Sequence, residues 1–349
     1  MTTVTHHDHH HDLEATAAAM VAPGKGILAA DESSGTMSQR LEAVGVPATA
    51  DSRGAWRELI MTTPNIGQWI SGVILYDETI RSTVSDGRGF AEVATQAGVL
   101  PGIKVDTGAK PLAGSPDEKV TEGLDGLRER LHEYAEMGAR FAKWRAVITI
   151  AEGMPTTQCL QANAHALARY AALCQEAGIV PIVEPEVLMD GDNDIDRCEE
   201  VTTATLRAVF NELAGQRVSL EGMVLKPNMV LSGAAAPQQA SVEEVATATL
   251  RTFHRVVPAA VPGIAFLSGG QSDELAAEHL NELNNRGDQP WELSFSYGRA
   301  LLATALETWR GEDANVAPAQ EALAHRARCN AAARDGKYTA KMEREPAPA

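Results

Sequence analysis

The 349-residue chain predicts an α/β fold, a (β/α)8 TIM barrel, on three observations. Short apolar, β-leaning runs alternate with longer amphipathic segments, and eight such runs can be counted. Most of the amphipathic segments stop at glycine or proline, as helices do before the chain returns to a strand. Charged residues collect at the ends of the apolar runs, and a barrel gathers its functional groups at the C-terminal ends of its strands.

The elements follow in order. A helix over Leu13 to Met20 precedes the first strand, Gly26 to Asp31. Strands at Gly72 to Tyr76 and Gly102 to Val105 lead to a helix at Leu124 to Met137. The strand Phe141 to Arg145 is followed by a helix at Thr157 to Ala177, and Val180 to Glu184 by one at Ile195 to Leu213. Gly222 to Lys226 precedes Val242 to Val257, Ile264 to Ser268 precedes Asp273 to Asn285, and Glu292 to Ser296 precedes Ala300 to Trp309. A final helix is expected around Ala319 to Ala333. No linker-like stretch splits the chain, so one domain is expected over residues 13–338. The charged, then proline-rich end, 339–349, reads as a mobile tail.

Composition bounds the function. An apolar fraction of 44% readily supplies one large core, and a net charge of −17 disfavours nucleic acid and anionic membranes as partners. Cys159, Cys174, Cys198 and Cys329 show no CxxC spacing, which suits free thiols in a reducing, cytoplasmic compartment. His6, His7, His9, His10 and His11, with Asp8 and Asp12, read as a disordered tail, 1–12, that binds metal only incidentally. No metal and no cofactor is expected in the chemistry.

The strand ends carry that chemistry. Asp31 closes the first strand, Lys104 and Asp106 the third, Lys143 and Arg145 the fourth, and Glu184 and Glu186 the fifth. Lys226, at the end of the sixth, is an ammonium on a buried run, costly unless it is paired or loses its proton. Lys104 and Lys143 close by favour the neutral amine there, which is what imine formation needs. A desolvated Glu184 can then deliver and retrieve the dehydration proton, and Asp31 can take the proton of a β-hydroxyl as a carbon-carbon bond breaks. Ser268-Gly269-Gly270 before a helix, with Arg299 past the eighth strand, suits a phosphate. Ser33, Ser34, Thr36 and Arg40 suggest a second, looser phosphate site across the mouth.

These residues stand in segments that resemble the class I fructose-1,6-bisphosphate aldolases. The resemblance runs from about Leu13 to Tyr338 and is carried by Ala22 to Ser33, Gly102 to Asp106, Phe141 to Arg145, Ile182 to Glu186, Leu225 to Met229, Phe266 to Gln271 and Phe295 to Ala300. It implies reversible cleavage of fructose 1,6-bisphosphate to dihydroxyacetone phosphate and glyceraldehyde 3-phosphate, with Lys226 as the Schiff-base residue. Glu184 and Asp31 would transfer protons, and Lys143 would serve the substrate hydroxyls and the cleavage step. Lys104, Arg145 and Glu186 would complete the charged site. One phosphate would lie on Ser268, Gly269, Gly270, Ser296 and Arg299, the other on Ser33, Thr36 and Arg40. The expected partner is a phosphorylated sugar, and the expected assembly is a homo-oligomer, with a tetramer as one candidate.

Two departures stand out. Animal members end in a tyrosine that assists proton exchange at the enamine, whereas this chain ends Pro346-Ala347-Pro348-Ala349, leaving Tyr338, Glu184 or water as the acid. Gln39 stands where many relatives place a basic residue, so the outer phosphate is expected to be held more weakly. The alternatives are an imine-forming aldolase or transaldolase for another sugar, a metal-dependent aldolase, and a non-catalytic binding barrel. The paired phosphate features, the absence of histidine from the strand ends, and the intact set of Asp31, Lys143, Glu184 and Lys226 argue against them in turn.

Overall fold

In the computed structural model residues 6–344 are described, with side chains from residue 12 onward. Eight parallel strands close a barrel: β1 (Gly26–Ala29), β2 (Ile70–Leu75), β3 (Leu100–Lys104), β6 (Phe141–Ile148), β7 (Val180–Val187), β8 (Val224–Leu225), β9 (Gly263–Phe266) and β10 (Glu292–Tyr297). Between β3 and β6 an antiparallel hairpin, β4 (Gly108–Leu112) and β5 (Ser115–Glu122), stands outside the barrel. Neighbours around the ring run β1-β10-β9-β8-β7-β6-β3-β2, so nearly all the connections are the crossovers that parallel strands require.

The helices form where local chemistry permits. Thr156, Asp194, Ser241 and Ser272 each accept a backbone N–H three residues on, capping helices that start at Thr157, Ile195, Val242 and Asp273. Two helices end at Gly138 and Gly178, with φ of +99° and +72°, a left-handed conformation that glycine adopts without strain.

Two apolar layers fix the barrel. One lies between strands and outer helices, and includes Trp56, Trp144, Tyr170 and Phe253. The other fills the inside, where Ile27, Ile74, Phe141, Ile182, Val224 and Ala265 pack with Leu13, Ala17 and Met20 of the helix His6–Met20. Those helix residues are at most 3% exposed. The polar cleft lies at the strand C-termini, toward the other end of the strands from the first residues of β3 and β6.

The structure departs from the sequence reading in places. β6 and β7 each continue three residues further than expected, because their ladder stays paired as far as Ile148 and Val187. β8 is the reverse case, reduced to Val224–Leu225 before Pro227 removes a backbone donor. The hairpin was not anticipated, since its Lys, Asp and Glu content reads as loop. Four further helices, Ser34–Ala43, Ala50–Met61, Asp77–Ile80 and Phe90–Gln96, were also missing from the expected list. The first helix starts at His6, inside the stretch expected to be a disordered tail, of which residues 1–5 lie outside the described residues. At the other end a 3₁₀ turn, Ala340–Arg344, is tied down by Glu343 to Arg326 and, at 2.6 Å, to the Tyr338 hydroxyl. Residues 345–349 of the expected mobile tail lie outside the described residues. Among the described residues no helix is long and apolar enough to cross a membrane.

Phe141 explains why glycine stands at two positions in the adjacent strands. A Cβ on Gly102 would fall 2.2 Å from the Phe141 ring, and one on Gly72 would fall 2.9 Å away. Gly102→Ala is therefore expected to destabilise the barrel by roughly 1–3 kcal/mol through overpacking, measured as a lowered denaturation midpoint. An unchanged midpoint would mean that the ring has room to move.

Candidate active site

Side chains on a strand alternate, so residues two apart share a face. On β6 this puts Phe141, Lys143 and Arg145 on the inward side, with the apolar ring deep in the barrel and the two cations nearer the mouth. On β7 it stacks Ile182, Glu184 and Glu186 in the same way, and the ladder sets Arg145 beside Glu184. Lys104 lies opposite Lys143 on the neighbouring strand, and the Lys226 N–H still donates to the Val183 carbonyl at 2.8 Å. Barrel closure brings Asp31, from just past β1, across to meet them.

The result is a buried chain of alternating charge. Lys226 Nζ is 3.2 Å from Glu184 Oε1, Glu184 Oε2 is 3.3 Å from Lys143 Nζ, and Lys143 Nζ is 2.7 Å from Asp31 Oδ2. The side chains of Lys226, Lys143 and Glu184 are only 4–5% exposed and that of Asp31 12%. Burial by itself would raise the Asp31 carboxyl, but the Lys143 and then the Lys226 charges outweigh it and hold it near about 2. At Glu184 burial again raises, and Lys143, Lys226 and Arg145 together leave it below its ordinary value. Burial would lower Lys143, yet Asp31 and Glu184 raise it, so this lysine is a fixed cation.

That arrangement corrects one expectation. Lys104 and Lys143 were to act on Lys226 as uncompensated cations. Instead Lys104 donates to the Asp106 carboxylate at 2.7 Å, and Lys143 is matched by two carboxylates. A proton on Lys226 therefore has a direct acceptor in Glu184.

One cleft of about 810 Å³ is lined by Asp31, Ser33, Thr36, Arg40, Lys104, Lys143, Arg145, Glu184, Glu186, Lys226, Ser268, Gly269, Gly270, Ser296 and Arg299, whereas Ser34, also anticipated, is not in its lining and donates to Glu78 at 3.2 Å. Among the described residues no histidine lines the cleft. At one side Gly269 and Gly270 turn through φ of +57° and +87°, and Arg299 Nη2 lies 3.6 Å from where a Cβ on Gly270 would stand. The buried Ser296 hydroxyl has no partner among the described residues. Backbone N–H groups, a hydroxyl and a guanidinium thus converge on a patch suited to a phosphate. The second patch was expected across the mouth, but β1 pairs with β10 and Arg40 lines a groove together with Arg299, so it lies beside the first; there Ser33 caps the helix Ser34–Ala43, taking the Thr36 N–H at 3.3 Å. Arg40 is already bound to Glu32, which Arg57 also holds at 2.7 Å, so this second patch has less free positive charge.

Two acids near the strand ends, Asp106 and Glu32, had been given no role. Asp106 accepts from Lys104, from the Gly108 N–H at 3.1 Å and from the Arg145 N–H at 3.2 Å, fixing one cation and the entry to the hairpin. Its signal was present: Lys104 and Asp106 are two apart. Glu32 left none, because Arg57 is 25 residues away. Tyr338, a candidate acid for the enamine, does not line the cleft; its hydroxyl is committed to Glu343.

The comparisons with known proteins converge on one family. The family model described as fructose-bisphosphate aldolase class-I matches residues 12–348. A probable fructose-bisphosphate aldolase class 1 of Xanthomonas campestris pv. campestris is 57% identical over 93% of this chain and 98% of its own. The fructose-bisphosphate aldolase of Dictyostelium discoideum is 50% identical, covering 94% of this chain and 93% of its own. A crystal structure of fructose-bisphosphate aldolase from Plasmodium falciparum, in complex with TRAP and a small molecule inhibitor, superposes with a TM-score of 0.94 at 45% identity, covering 95% of this chain and 96% of the other.

The Asp31 carboxylate gives a pH signature. Its value is lowered from 3.8 to about 2, so its contribution, on the order of 2 kcal/mol, is present above pH 3.8 and lost as pH falls toward 2. Asp31→Asn should lower the denaturant midpoint at pH 7, and the gap to the parent protein should close below pH 3.8. A gap that stays constant from pH 7 to pH 3 would show that the loss is not electrostatic.

Proposed function

This chain belongs to the class I fructose-bisphosphate aldolase family, lyases that cleave fructose 1,6-bisphosphate reversibly through a lysine Schiff base, and we propose that Lys226 forms that imine with Glu184, Asp31 and Lys143 moving the protons. The observation that carries this division of labour is the contact chain Lys226, Glu184, Lys143, Asp31, with spacings of 3.2, 3.3 and 2.7 Å.

Glu184, held ionised by its cations, takes a proton from Lys226 and frees the amine to attack the substrate ketone. The same proton then leaves with the carbinolamine hydroxyl as water. The protonated imine is the electron sink, so the bond between the α and β carbons breaks once a base accepts the β-hydroxyl proton. Asp31 is that base: it is ionised, and it stands across Lys143 from Glu184, apart from the dehydration step. Lys143 keeps its charge throughout and orients the hydroxyl it shares with Asp31. The enamine left on Lys226 regains a proton from water or from Glu184 reprotonated by solvent, Asp31 returns the hydroxyl proton to solvent, and water hydrolyses the imine to release the ketone.

Specificity for a substrate with a phosphate at each end rests on two patches of the cleft, one on the loops after β9 and β10 and the other after β1. The inner group lies on Ser268, Gly269, Gly270, Ser296 and Arg299, and the outer on Ser33, Thr36 and Arg40. The pairing of Arg40 with Glu32 supports a weaker outer hold. A cytoplasmic setting is supported by Cys159, Cys174 and Cys198, which are buried free thiols. A homo-oligomer is part of the proposal by likeness to the family. The barrel is proposed as one domain over residues 13–338.

Borohydride reduction with dihydroxyacetone phosphate is expected to place the substrate carbon on Lys226, as read by peptide mass spectrometry. Asp31→Asn should still trap the imine while single-turnover cleavage slows by roughly a hundredfold or more. Adduct on Lys104 or Lys143, or loss of trapping in the Asp31 variant, would overturn these roles.

Independence from metal follows if the imine is the only electron sink. Cleavage is expected to be unchanged by EDTA, and zinc should restore nothing. Loss on chelation with recovery on zinc addition would contradict the mechanism.

A further inference from the structure

We propose that His279, outside the cleft, is the positioning residue that holds the inner phosphate loop through Gln271, an inference that rests on reading Ser268 to Gly270 as a phosphate cradle. Ser268 to Gln271 form a tight turn in which the Gln271 N–H donates to the Ser268 carbonyl at 3.0 Å, with both central glycines at positive φ. The Gly269 and Gly270 N–H groups take no part in that turn hydrogen bond, and both residues line the cleft. The Gln271 side chain reinforces the turn, because its Nε2 donates to the same Ser268 carbonyl at 2.9 Å. Gln271 is 5% exposed, and its Nε2 also lies 3.8 Å from the Met229 sulfur, three residues past Lys226. The amide is thus in contact with the loop and with the segment that follows the imine lysine.

An amide can flip, and only one orientation works here. With Oε1 toward Ser268, two carbonyl oxygens would face one another, so the amide nitrogen must be on that side. Oε1 then points to His279 Nδ1, with which it is in hydrogen-bond contact. It follows that Nδ1 carries the proton and donates. Burial, at 2% exposure, lowers the ring to about 4, so at neutral pH it is uncharged and has one proton to give. Nε2 is buried without a partner among the described residues, so the Gln271 bond is the one polar contact recorded for the ring. His279 lies on the helix Asp273–Asn284, whose N-terminus is capped by Ser272 immediately after the loop. Loop, helix start and clamp are therefore one unit.

The test compares His279→Leu with His279→Asn, whose side-chain N–H falls near the place of Nδ1–H, and uses Gln271→Met as a second route to the same loss. The expected result for His279→Leu and Gln271→Met is about a tenfold rise in the dihydroxyacetone phosphate concentration needed for half-maximal imine trapping, with trapping by unphosphorylated dihydroxyacetone shifted less than twofold. His279→Asn should restore the parent value. Arg299→Ala, run alongside, should show a phosphate-selective loss of its own. If Arg299→Ala is selective and the His279 and Gln271 variants are not, or if His279→Asn behaves as His279→Leu does, the positioning role is overturned and the cradle stands. If Arg299→Ala also weakens both ketones equally, the cradle reading falls and the proposal with it.

Discussion

The site depends on the burial of four charges that satisfy one another. An isolated ammonium or carboxylate inside a barrel carries a desolvation cost of several kcal/mol, and an ion pair offsets that only when its geometry is good. Lys143 between Asp31 and Glu184 meets that condition, with Lys226 extending the chain. Removing Lys143 leaves Asp31 unmatched, and removing Glu184 does the same to Lys226. The same alternation keeps the two carboxylates ionised while both are buried, and it separates them by one fixed cation, so two proton transfers can occur in one cleft.

The phosphate ends use different physics. There the positive potential comes largely from backbone N–H groups and from guanidinium groups at the rim, where the substrate keeps its charge in every step. Glycines at positive φ let the backbone approach closely, at the cost of a loop with little stiffness of its own. The Gln271 amide and the His279 ring supply stiffness from behind, and past β1 Glu32 restrains Arg40 and Arg57 together. Strong fixed pairs at the centre and softer polar contacts at the ends suit a substrate that reacts in the middle and is gripped at its termini.

Much of this was legible along the chain. The alternation of apolar runs with amphipathic segments is a local property, and so is the placement of a charge at a strand end. Barrel geometry then turns separate strand ends into neighbours, which is why residues as distant as Asp31, Lys143 and Lys226 were read as one site. The hairpin Gly108 to Glu122 was not legible, because its stability lies in pairing across the turn and in Glu118, buried against Thr156 at 2.6 Å, while its composition reads as loop.

The sequence by itself determined the barrel, the identity of the charged residues and the strand ends that present them, since period-2 and helical patterning are encoded locally. Only the tertiary structure decided most of the pairing: that Lys143 is shared by two acids, that Arg40 is taken by Glu32, and that Tyr338 faces Glu343. The reason is physical. Whether a buried charge perturbs its neighbour or is neutralised by another depends on distances of a few ångströms across different strands, and no spacing along the chain encodes those.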